Sequence, residues 1–330
     1  MRMLKAMGKG VVEAIDAPEP LPESGEVLIE TGVSLLCGSE LSAYRGAGVA
    51  GGNLGHEAAG TILKLGPAVT GLIVGQRVGA SAISGCGECV HCKQRRFTWC
   101  SKFKFHSNMH AQRFVVAAMA CNPLPDDVAF DTGALLSGDG LGVPYHTSLK
   151  IASPEIKTIA IFGAGPIGLG GALLQAHLGR RVMVVDVSPY RLELAKKLGA
   201  DAVVNAKETD AVAKIRDLTD GVGPDVCIEA AGRPETALQC FSAVKTGGIV
   251  VFNGEQGALQ LSPSDHFMRR DITAVGSWYY HFSECGEMLE LYRRGLQVNT
   301  LLTHRYPYEE AATAFENFAA GQAGKVVLQY

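Results

Sequence analysis

Four of the chain's nine cysteines lie in one short stretch, GCGECVHCKQRRFTWC, at Cys86, Cys89, Cys92 and Cys100. This spacing allows four thiolates to surround one tetrahedral ion, and zinc is the usual occupant of such a site. Disulfides between cysteines three residues apart would be strained, and the common iron–sulfur spacings differ from this one. We therefore predict a structural zinc, which leaves no coordination position for a substrate.

A glycine-rich turn in the second half of the chain predicts a dinucleotide site. Gly163, Gly165 and Gly168 form G-x-G-x-x-G directly after the apolar run KTIAIF and at the start of a predicted helix. That context lets the backbone approach a pyrophosphate, which binds at the N-terminus of the helix. We expect Pro166 and Ile167, which lie inside the motif, to belong to the same cofactor-binding turn.

The next predicted strand ends at Asp186, 18 residues beyond Gly168. A carboxylate at this place accepts hydrogen bonds from the ribose hydroxyls and repels a 2′-phosphate, so we predict NAD as the cofactor. Arg191 lies five residues further on and could reach the same ribose. Because an arginine there could also accommodate a phosphate, NADP remains the alternative.

The elements that must position these residues follow two patterns. Residues 1–150 contain short apolar runs separated by glycine, proline and asparagine, which predicts a β-rich domain. From residue 151 onwards, buried strands alternate with helices, which predicts a doubly wound parallel sheet of the α/β class. After about residue 285 the chain returns to two helices and the closing strand KVVLQY.

Composition narrows the possible partners. The chain has 330 residues, 47% of them hydrophobic, and a formal net charge of −3. Basic and acidic residues are interleaved, so we expect no nucleic-acid partner. We see no apolar run that would predict a signal peptide or a membrane span, and we expect a cytoplasmic protein without a membrane partner. In that compartment clustered cysteines bind metal more often than they form disulfides.

A thiol, an imidazole and a carboxylate also occur in the β-rich half, at Cys37 in CGSE and at His56 and Glu57 in GHE. Together with the motifs above, they make the chain resemble the zinc-dependent medium-chain alcohol dehydrogenases, in particular the sorbitol, threonine and polyol branch. The resemblance runs from CGSELSAYRG through GHEAAGTILKLG, IFGAGPIGLG and DVSPYRLELAKKLGAD to AGKVVL, and covers nearly the whole chain. It implies a GroES-like catalytic domain of residues 1–150 and 286–330, interrupted by a Rossmann NAD-binding domain of residues 151–285.

The resemblance also implies a catalytic zinc held by Cys37 and His56. For the third ligand we favour Asp139 in GALLSGDGLGVPYHT, although an aspartate there could instead cap a helix. Glu57 matches the neighbouring glutamate, which lies behind the metal or exchanges onto it. Ser39 matches the hydroxyl that takes the proton of the substrate alcohol, with a simple turn serine as the alternative.

Further residues are implied at the substrate and the cofactor. Tyr44, His110 and Trp278 match pocket positions of the family, and Lys325 in AGKVVL is implied at the cofactor. A pocket with polar and aromatic walls suits a polyhydroxylated substrate, because buried donors need partners. Many members have a histidine where this chain has Ser42, so the route by which the proton leaves is open.

The function implied is reversible NAD-dependent oxidation of a secondary alcohol, in a sugar, polyol or cyclitol, to a ketone by hydride transfer, with two zinc ions per chain. The alternatives are a threonine-type amino-alcohol or simple alcohol dehydrogenase, a zinc-free reductase, or a cofactor-binding protein without catalysis. The resemblance also implies a homodimer or homotetramer, for which the apolar run ITAVGSW (272–278) is a candidate pairing edge.

Overall fold

The computed structural model describes all residues, Met1–Tyr330, and the chain folds into two compact units. The first unit contains residues 1–142, 280–293 and 302–330, and the second contains residues 143–279 and 294–301. None of the helices combines the length and the apolar character that crossing a bilayer requires.

The strands are, in chain order, β1 Arg2–Gly8, β2 Val11–Asp16, β3 Glu26–Leu35, β4 Ala58–Leu65, β5 Arg77–Ala80, β6 Ile83–Ser84, β7 Lys104–Phe105, β8 Arg113–Ala117, β9 Cys121–Pro123, β10 Thr158–Phe162, β11 Arg181–Asp186, β12 Ala202–Asn205, β13 Val226–Glu229, β14 Ile249–Phe252, β15 Thr273–Gly276, β16 Leu302–Pro307 and β17 Lys325–Gln329. The helices are α1 Leu41–Arg45, α2 Val90–Lys93, α3 Phe130–Leu136, α4 Asp139–Lys150, α5 Pro166–His177, α6 Pro189–Lys197, α7 Ala211–Asp217, α8 Pro234–Ala243, α9 Cys285–Arg293 and α10 Ala311–Ala319.

The division between the units differs from the boundaries expected at residues 150 and 285. Helix α4 begins in the first unit and ends in the second, so the change of sequence pattern falls later than the structural boundary. Tyr280 belongs to the first unit because its hydroxyl donates to the carbonyl of Ser137 and its ring packs so closely on Gly142 that a Cβ there would collide with it. Residues 298–301 pack against α5, which assigns them to the second unit.

A seven-stranded mixed sheet forms the frame of the first unit, in the order β16-β17-β3-β4-β5-β9, with β8 paired to β3. Strand β3 is ten residues long and alternates between the two faces, and its buried side chains include Val27 and Ile29. They pack with Phe114, Val78 and Ile62 into one apolar core. The sheet thereby fixes the carboxyl end of β3 beside the start of β4, where Ser34 pairs with Ala58.

The second unit is a six-stranded sheet in the order β12-β11-β10-β13-β14-β15, and every pairing in it is parallel. Helices α5 to α8 alternate with the strands along the chain. The strands are apolar because both faces of the sheet are covered, as at Phe162, Met183 and Val250. The predicted doubly wound fold is confirmed, and the strand order reverses between β10 and β13, where such sheets bind ligands.

Candidate metal and cofactor sites

Three predicted metal ligands converge in the first unit. Cys37 follows β3, His56 precedes β4, and Asp139 is the first residue of α4. The Oδ2 atom of Asp139 lies 3.2 Å from Nε2 of His56 and 3.6 Å from Sγ of Cys37. Antiparallel pairing of β3 with β4 brings the first two together, and the start of α4 supplies the third.

Backbone contacts orient these donors. The Nδ1 atom of His56 lies 2.7 Å from the carbonyl of Leu54, so donation to that carbonyl leaves Nε2 to face the cluster. The backbone N–H of Cys37 donates to the Glu40 carboxylate at 2.9 Å. The Oδ1 atom of Asp139 is buried and has no hydrogen-bond partner. An orphaned carboxylate oxygen beside a thiol and an imidazole is the donor set of a zinc site, so the residues present fit zinc.

The electrostatics of the cluster also favour a cation. Burial alone would lower the pKa of His56, but Cys37 and Asp139 raise it well above its ordinary value. Burial would raise the pKa of Asp139, but hydrogen bonding and attraction to His56, and attraction to Lys325, lower it. Both shifts arise from negative charge gathered around the imidazole, which a divalent cation would offset.

Glu57 and Lys325 form an ion pair beside the Cys37, His56 and Asp139 donors, and the cofactor contact expected of Lys325 stays a prediction. Its ammonium forms an ion pair with the Glu57 carboxylate and also donates to the carbonyl of Leu36 at 3.1 Å. Both side chains are almost completely buried, and Lys325 neutralises Glu57 within the first unit. The sequence missed this because the two residues are 268 positions apart.

Tyr44 and His110 were predicted to line the substrate pocket, and the structure places both side chains inside the first unit. Tyr44 is buried, and its ring lies 5.5 Å from that of Phe315 in an apolar cluster. Nε2 of His110 donates to Glu40 at 2.8 Å, and Nδ1 lies 2.7 Å from the Ser34 hydroxyl. Burial would raise the pKa of Glu40, but His110 and His56 lower it, so a buried charge holds the imidazole inside the core.

Other predicted residues keep accessible positions. Ser39 is exposed two residues beyond Cys37, and its carbonyl accepts a hydrogen bond from the Ser42 hydroxyl at 3.2 Å. Trp278, in the second unit, is 40% exposed, and its Nε1 donates to Glu255 at 2.8 Å.

Sequence reasoning missed Phe105. Its ring lies 5.4 Å from the ring of His56 and is 49% exposed, so it forms an apolar wall beside the donor cluster. The signal available in the sequence was its position, because Phe105 is an aromatic residue only five positions after the last cysteine of the metal loop.

The four cysteines of the loop also converge. Sγ of Cys92 lies 3.9 Å from that of Cys86 and 3.5 Å from that of Cys89, close to the ~3.8 Å between sulfurs at about 2.3 Å from a tetrahedral zinc. Backbone N–H groups lower the pKa of Cys86 to about 6, whereas burial raises that of Cys92 to about 12. Backbone N–H groups of Cys86 and Lys102 also donate to Cys100. The residues present therefore fit a second zinc.

The glycine-rich turn lies at the carboxyl end of β10 in the second unit. Gly163 has φ +107°, a conformation that favours glycine, and a Cβ on Gly168 would collide with the Gly163 carbonyl. A Cβ on Gly165 would meet nothing within 4 Å, so the turn leaves open space where a phosphate could approach. Pro166 is the first residue of α5 and Ile167 the second. The cradle fits the pyrophosphate of a dinucleotide.

Asp186 ends the neighbouring strand β11 and reaches back to this turn. Its Oδ2 accepts the N–H of Ala164 at 2.6 Å, and its Oδ1 accepts those of Val187 and Ser188 at 2.7 and 2.8 Å. Arg191 lies in the first turn of α6, where its backbone N–H donates to the capping Ser188 hydroxyl. The turn therefore holds the Asp186 carboxylate at the carboxyl edge of the sheet.

Comparison with known proteins decides the family. Residues 23–126 match the family model described as alcohol dehydrogenase GroES-like domain, and residues 166–294 match that of zinc-binding dehydrogenase. The L-threonine 3-dehydrogenase of Pyrococcus abyssi is 32% identical over 343 aligned positions, covering 99% of this chain and 97% of the relative. The chain belongs to the zinc-dependent medium-chain alcohol dehydrogenases. It is an oxidoreductase.

Solved structures agree with this family assignment. The alcohol dehydrogenase TADH from Thermus sp. ATN1 superposes with a TM-score of 0.91 at 25% identity, and 100% of each chain is covered. Galactitol-1-phosphate dehydrogenase from Escherichia coli superposes with a TM-score of 0.85 at 27% identity, again over 100% of each chain. This zinc-dependent dehydrogenase therefore combines a GroES-like unit with a Rossmann unit, as predicted.

Proposed function

We propose that this chain catalyses the reversible NAD-dependent oxidation of a secondary alcohol to a ketone. The observation that carries the proposal is the convergence of Cys37, His56 and Asp139, with one buried oxygen of Asp139 unpartnered. Zinc bound there supplies Lewis-acid polarisation of the substrate hydroxyl. Cys37, His56 and Asp139 would be the side chains that hold that ion.

The side chains around this cluster have separate tasks in the proposal. The exposed hydroxyl of Ser39 would relay the proton that the alcohol loses, accepting it as its own proton passes to solvent water. Glu57 is paired with Lys325 behind the donors, so we assign it a supporting role in the cluster. Cys86, Cys89, Cys92 and Cys100 hold the second zinc, whose closed ligand set restricts it to a structural role.

NAD is the proposed cofactor. The support is Asp186, whose carboxylate lies at the end of β11 beside the glycine-rich turn, where it would repel a 2′-phosphate. Arg191 is confined to the first turn of α6, and we assign it a contact with the same ribose.

A polyol, sugar or cyclitol is the proposed substrate class. The cation that contacts the donor cluster in the first unit, Lys325, is already paired with Glu57. A neutral substrate therefore fits this side of the site better than an amino acid, whose carboxylate would need a free cation. The half-exposed ring of Phe105 offers an apolar face for the C–H groups of such a substrate. L-Threonine is the second candidate, because the relative from Pyrococcus abyssi is a threonine 3-dehydrogenase.

The experiment is NADH formation at 340 nm with a panel of polyols, sugars, cyclitols, L-threonine and simple alcohols. We expect turnover with a neutral vicinal diol and its loss in Cys37→Ser. Turnover with L-threonine alone would replace the substrate class and keep the reaction. Turnover that survives Cys37→Ser would refute the proposed metal chemistry.

We also propose that the chain forms a homodimer or homotetramer through β15. This strand is the edge of the parallel sheet, and Thr273, Ala274 and Gly276 are exposed on it. An open edge with apolar residues invites pairing with a second copy. Light scattering of wild type and Ala274→Lys should show an oligomer that the lysine dissociates, whereas a monomeric wild type would refute the pairing.

A further inference from the structure

Glu229 is a fully buried carboxylate at the carboxyl end of β13 in the second unit. Its Oε1 accepts the backbone N–H groups of Ala231 and Gly232, each at 2.9 Å, and the hydroxyl of Thr236 at 2.6 Å. These donors offset the cost of burying the charge. One oxygen of this carboxylate therefore fixes the loop that follows β13.

The other oxygen fixes a second loop. Oε2 of Glu229 accepts a hydrogen bond from Nε2 of Gln256 at 3.2 Å, on the loop that follows β14. The two loops are closely packed, because a Cβ on Gly232 would lie 2.8 Å from the Glu255 carbonyl and one on Gly254 would lie 2.5 Å from Oε2 of Glu229. Glu229 and Gln256 thus bridge loops at neighbouring carboxyl ends of the sheet.

This bridge fixes the orientation of the Gln256 amide. A carboxylate can only accept hydrogen bonds, so Gln256 must turn its NH2 group towards Glu229. Its Oε1 then points away from Glu229, and that atom is buried without a hydrogen-bond partner. A buried acceptor without a donor is unfavourable, and a donor on a bound ligand would satisfy it.

The position of the bridge indicates which part of the dinucleotide supplies that donor. Strands β13 and β14 lie on one side of β10, and β11 with Asp186 lies on the other. A dinucleotide binds across the reversal of strand order with one mononucleotide on each side. With the adenosine ribose at Asp186, the nicotinamide half lies over β13 and β14. Its donors are the ribose hydroxyls and the carboxamide NH2.

We propose that Oε1 of Gln256 accepts a hydrogen bond from the nicotinamide half of the bound dinucleotide, and that Glu229 is the positioning residue that sets the polarity of this amide. The inference rests on the dinucleotide binding of the proposed function and is independent of which alcohol is oxidised.

The test measures the affinity of the zinc-loaded protein for NADH and for AMP by calorimetry. AMP occupies only the adenosine half, so it reports on the fold of the unit without reaching Gln256. Gln256→Ala should raise the Kd of NADH about tenfold, the effect of one buried hydrogen bond, and leave that of AMP unchanged. Thermal unfolding checks that each variant remains folded.

A matched set of variants tests the role of Glu229. Glu229→Gln introduces a donor at this position, so the Gln256 amide turns its oxygen inward and presents NH2 to the nucleotide. Gln256→Glu brings two carboxylates together. Each single change should weaken NADH binding about tenfold, whereas the double variant restores one donor facing one acceptor and should return to within about threefold of wild type.

Unchanged NADH affinity in Gln256→Ala overturns the inference. Equal losses of NADH and AMP affinity overturn it too, because they indicate general damage to the unit, and so does a double variant no better than the singles. If neither nucleotide binds wild type, the dinucleotide site of the proposed function is refuted and this inference with it.

Discussion

Lys325 and Glu57 form a buried ion pair beside the Cys37, His56 and Asp139 donors. Burial alone would lower the pKa of Lys325, but attraction to Glu57, Cys37 and Asp139 raises it above its ordinary value. The ammonium therefore remains charged although it is buried. It provides a fixed positive charge beside a cluster that carries several negative ones.

Lys325→Met should lower the free energy of unfolding by about 3–5 kcal/mol, because it leaves the Glu57 carboxylate buried without its partner. Urea unfolding of the zinc-loaded protein measures the change. Adding Glu57→Gln should recover part of the loss. The exposed Lys207 offers a matched control, since Lys207→Met should change stability by no more than about 0.5 kcal/mol. Equal stabilities of the two lysine variants would contradict the pairing.

Cys100→Ala should remove one zinc and leave the catalytic one, because three thiolates remain in the loop and the Cys37 cluster is unchanged. Plasma emission spectrometry would give about one zinc per chain in place of about two, and limited proteolysis should become faster between residues 85 and 105. Cys121 is a buried thiol outside both clusters, so Cys121→Ala should keep the full zinc content. If Cys100→Ala retained all of its zinc, the assignment of a structural zinc to the four loop cysteines would be contradicted.

Asp225 should make the stability of the protein sensitive to acid. Burial would raise its pKa, but Lys245 and the N–H groups of Lys157 and Thr158 lower it to about 2. Against an unfolded value of about 3.9, the carboxylate contributes about 2 kcal/mol above pH 4, which is lost as the pH falls towards 2.

Asp225→Asn tests directly whether this carboxylate stabilises the protein more at neutral pH than in acid. The variant should be about 2 kcal/mol less stable than wild type at pH 7, and the difference should shrink to about half at pH 3. Urea unfolding at the two pH values measures it. Glu155 is exposed in the same unit, so Glu155→Gln serves as the control. Its free energy of unfolding should differ little from that of wild type at either pH. A loss of stability in Asp225→Asn, relative to wild type, that becomes larger towards low pH would contradict the account.

Asp186→Ser should relax the choice of cofactor. Loss of the carboxylate removes the repulsion of a 2′-phosphate and one set of ribose hydrogen bonds, so the ratio of kcat/KM for NAD to that for NADP should fall by about 10–100-fold. Steady-state kinetics with both cofactors measures the ratio. A wild type that prefers NADP, or a ratio that the substitution leaves unchanged, would contradict the role given to Asp186.

The features that could be predicted from the sequence are those fixed by local geometry. The glycines at 163, 165 and 168 lie where strand β10 turns into helix α5. The close backbone packing that calls for glycine there follows from residues adjacent in the sequence. Four cysteines within 15 positions must also lie near one another. In both cases the functional residues are close in the sequence, so chain connectivity alone makes them neighbours in the structure.

What could not be predicted depends on long-range pairing. His110 has the chemistry of a pocket residue, but Glu40, 70 positions away, holds it in the core. Lys325 opens the apolar strand KVVLQ, and only the sheet shows that it meets Glu57. A charged residue in an apolar strand indicates a buried partner, yet it does not identify that partner.

The central claim is that Cys37, His56 and Asp139 hold the catalytic zinc. The most direct measurement is zinc content together with NADH formation in wild type, Asp139→Asn and the exposed control Asp127→Asn. We predict about two zinc ions per chain in wild type and the control, but about one in Asp139→Asn, with activity at least about a hundredfold lower. Full zinc content and wild-type activity in Asp139→Asn would contradict the account.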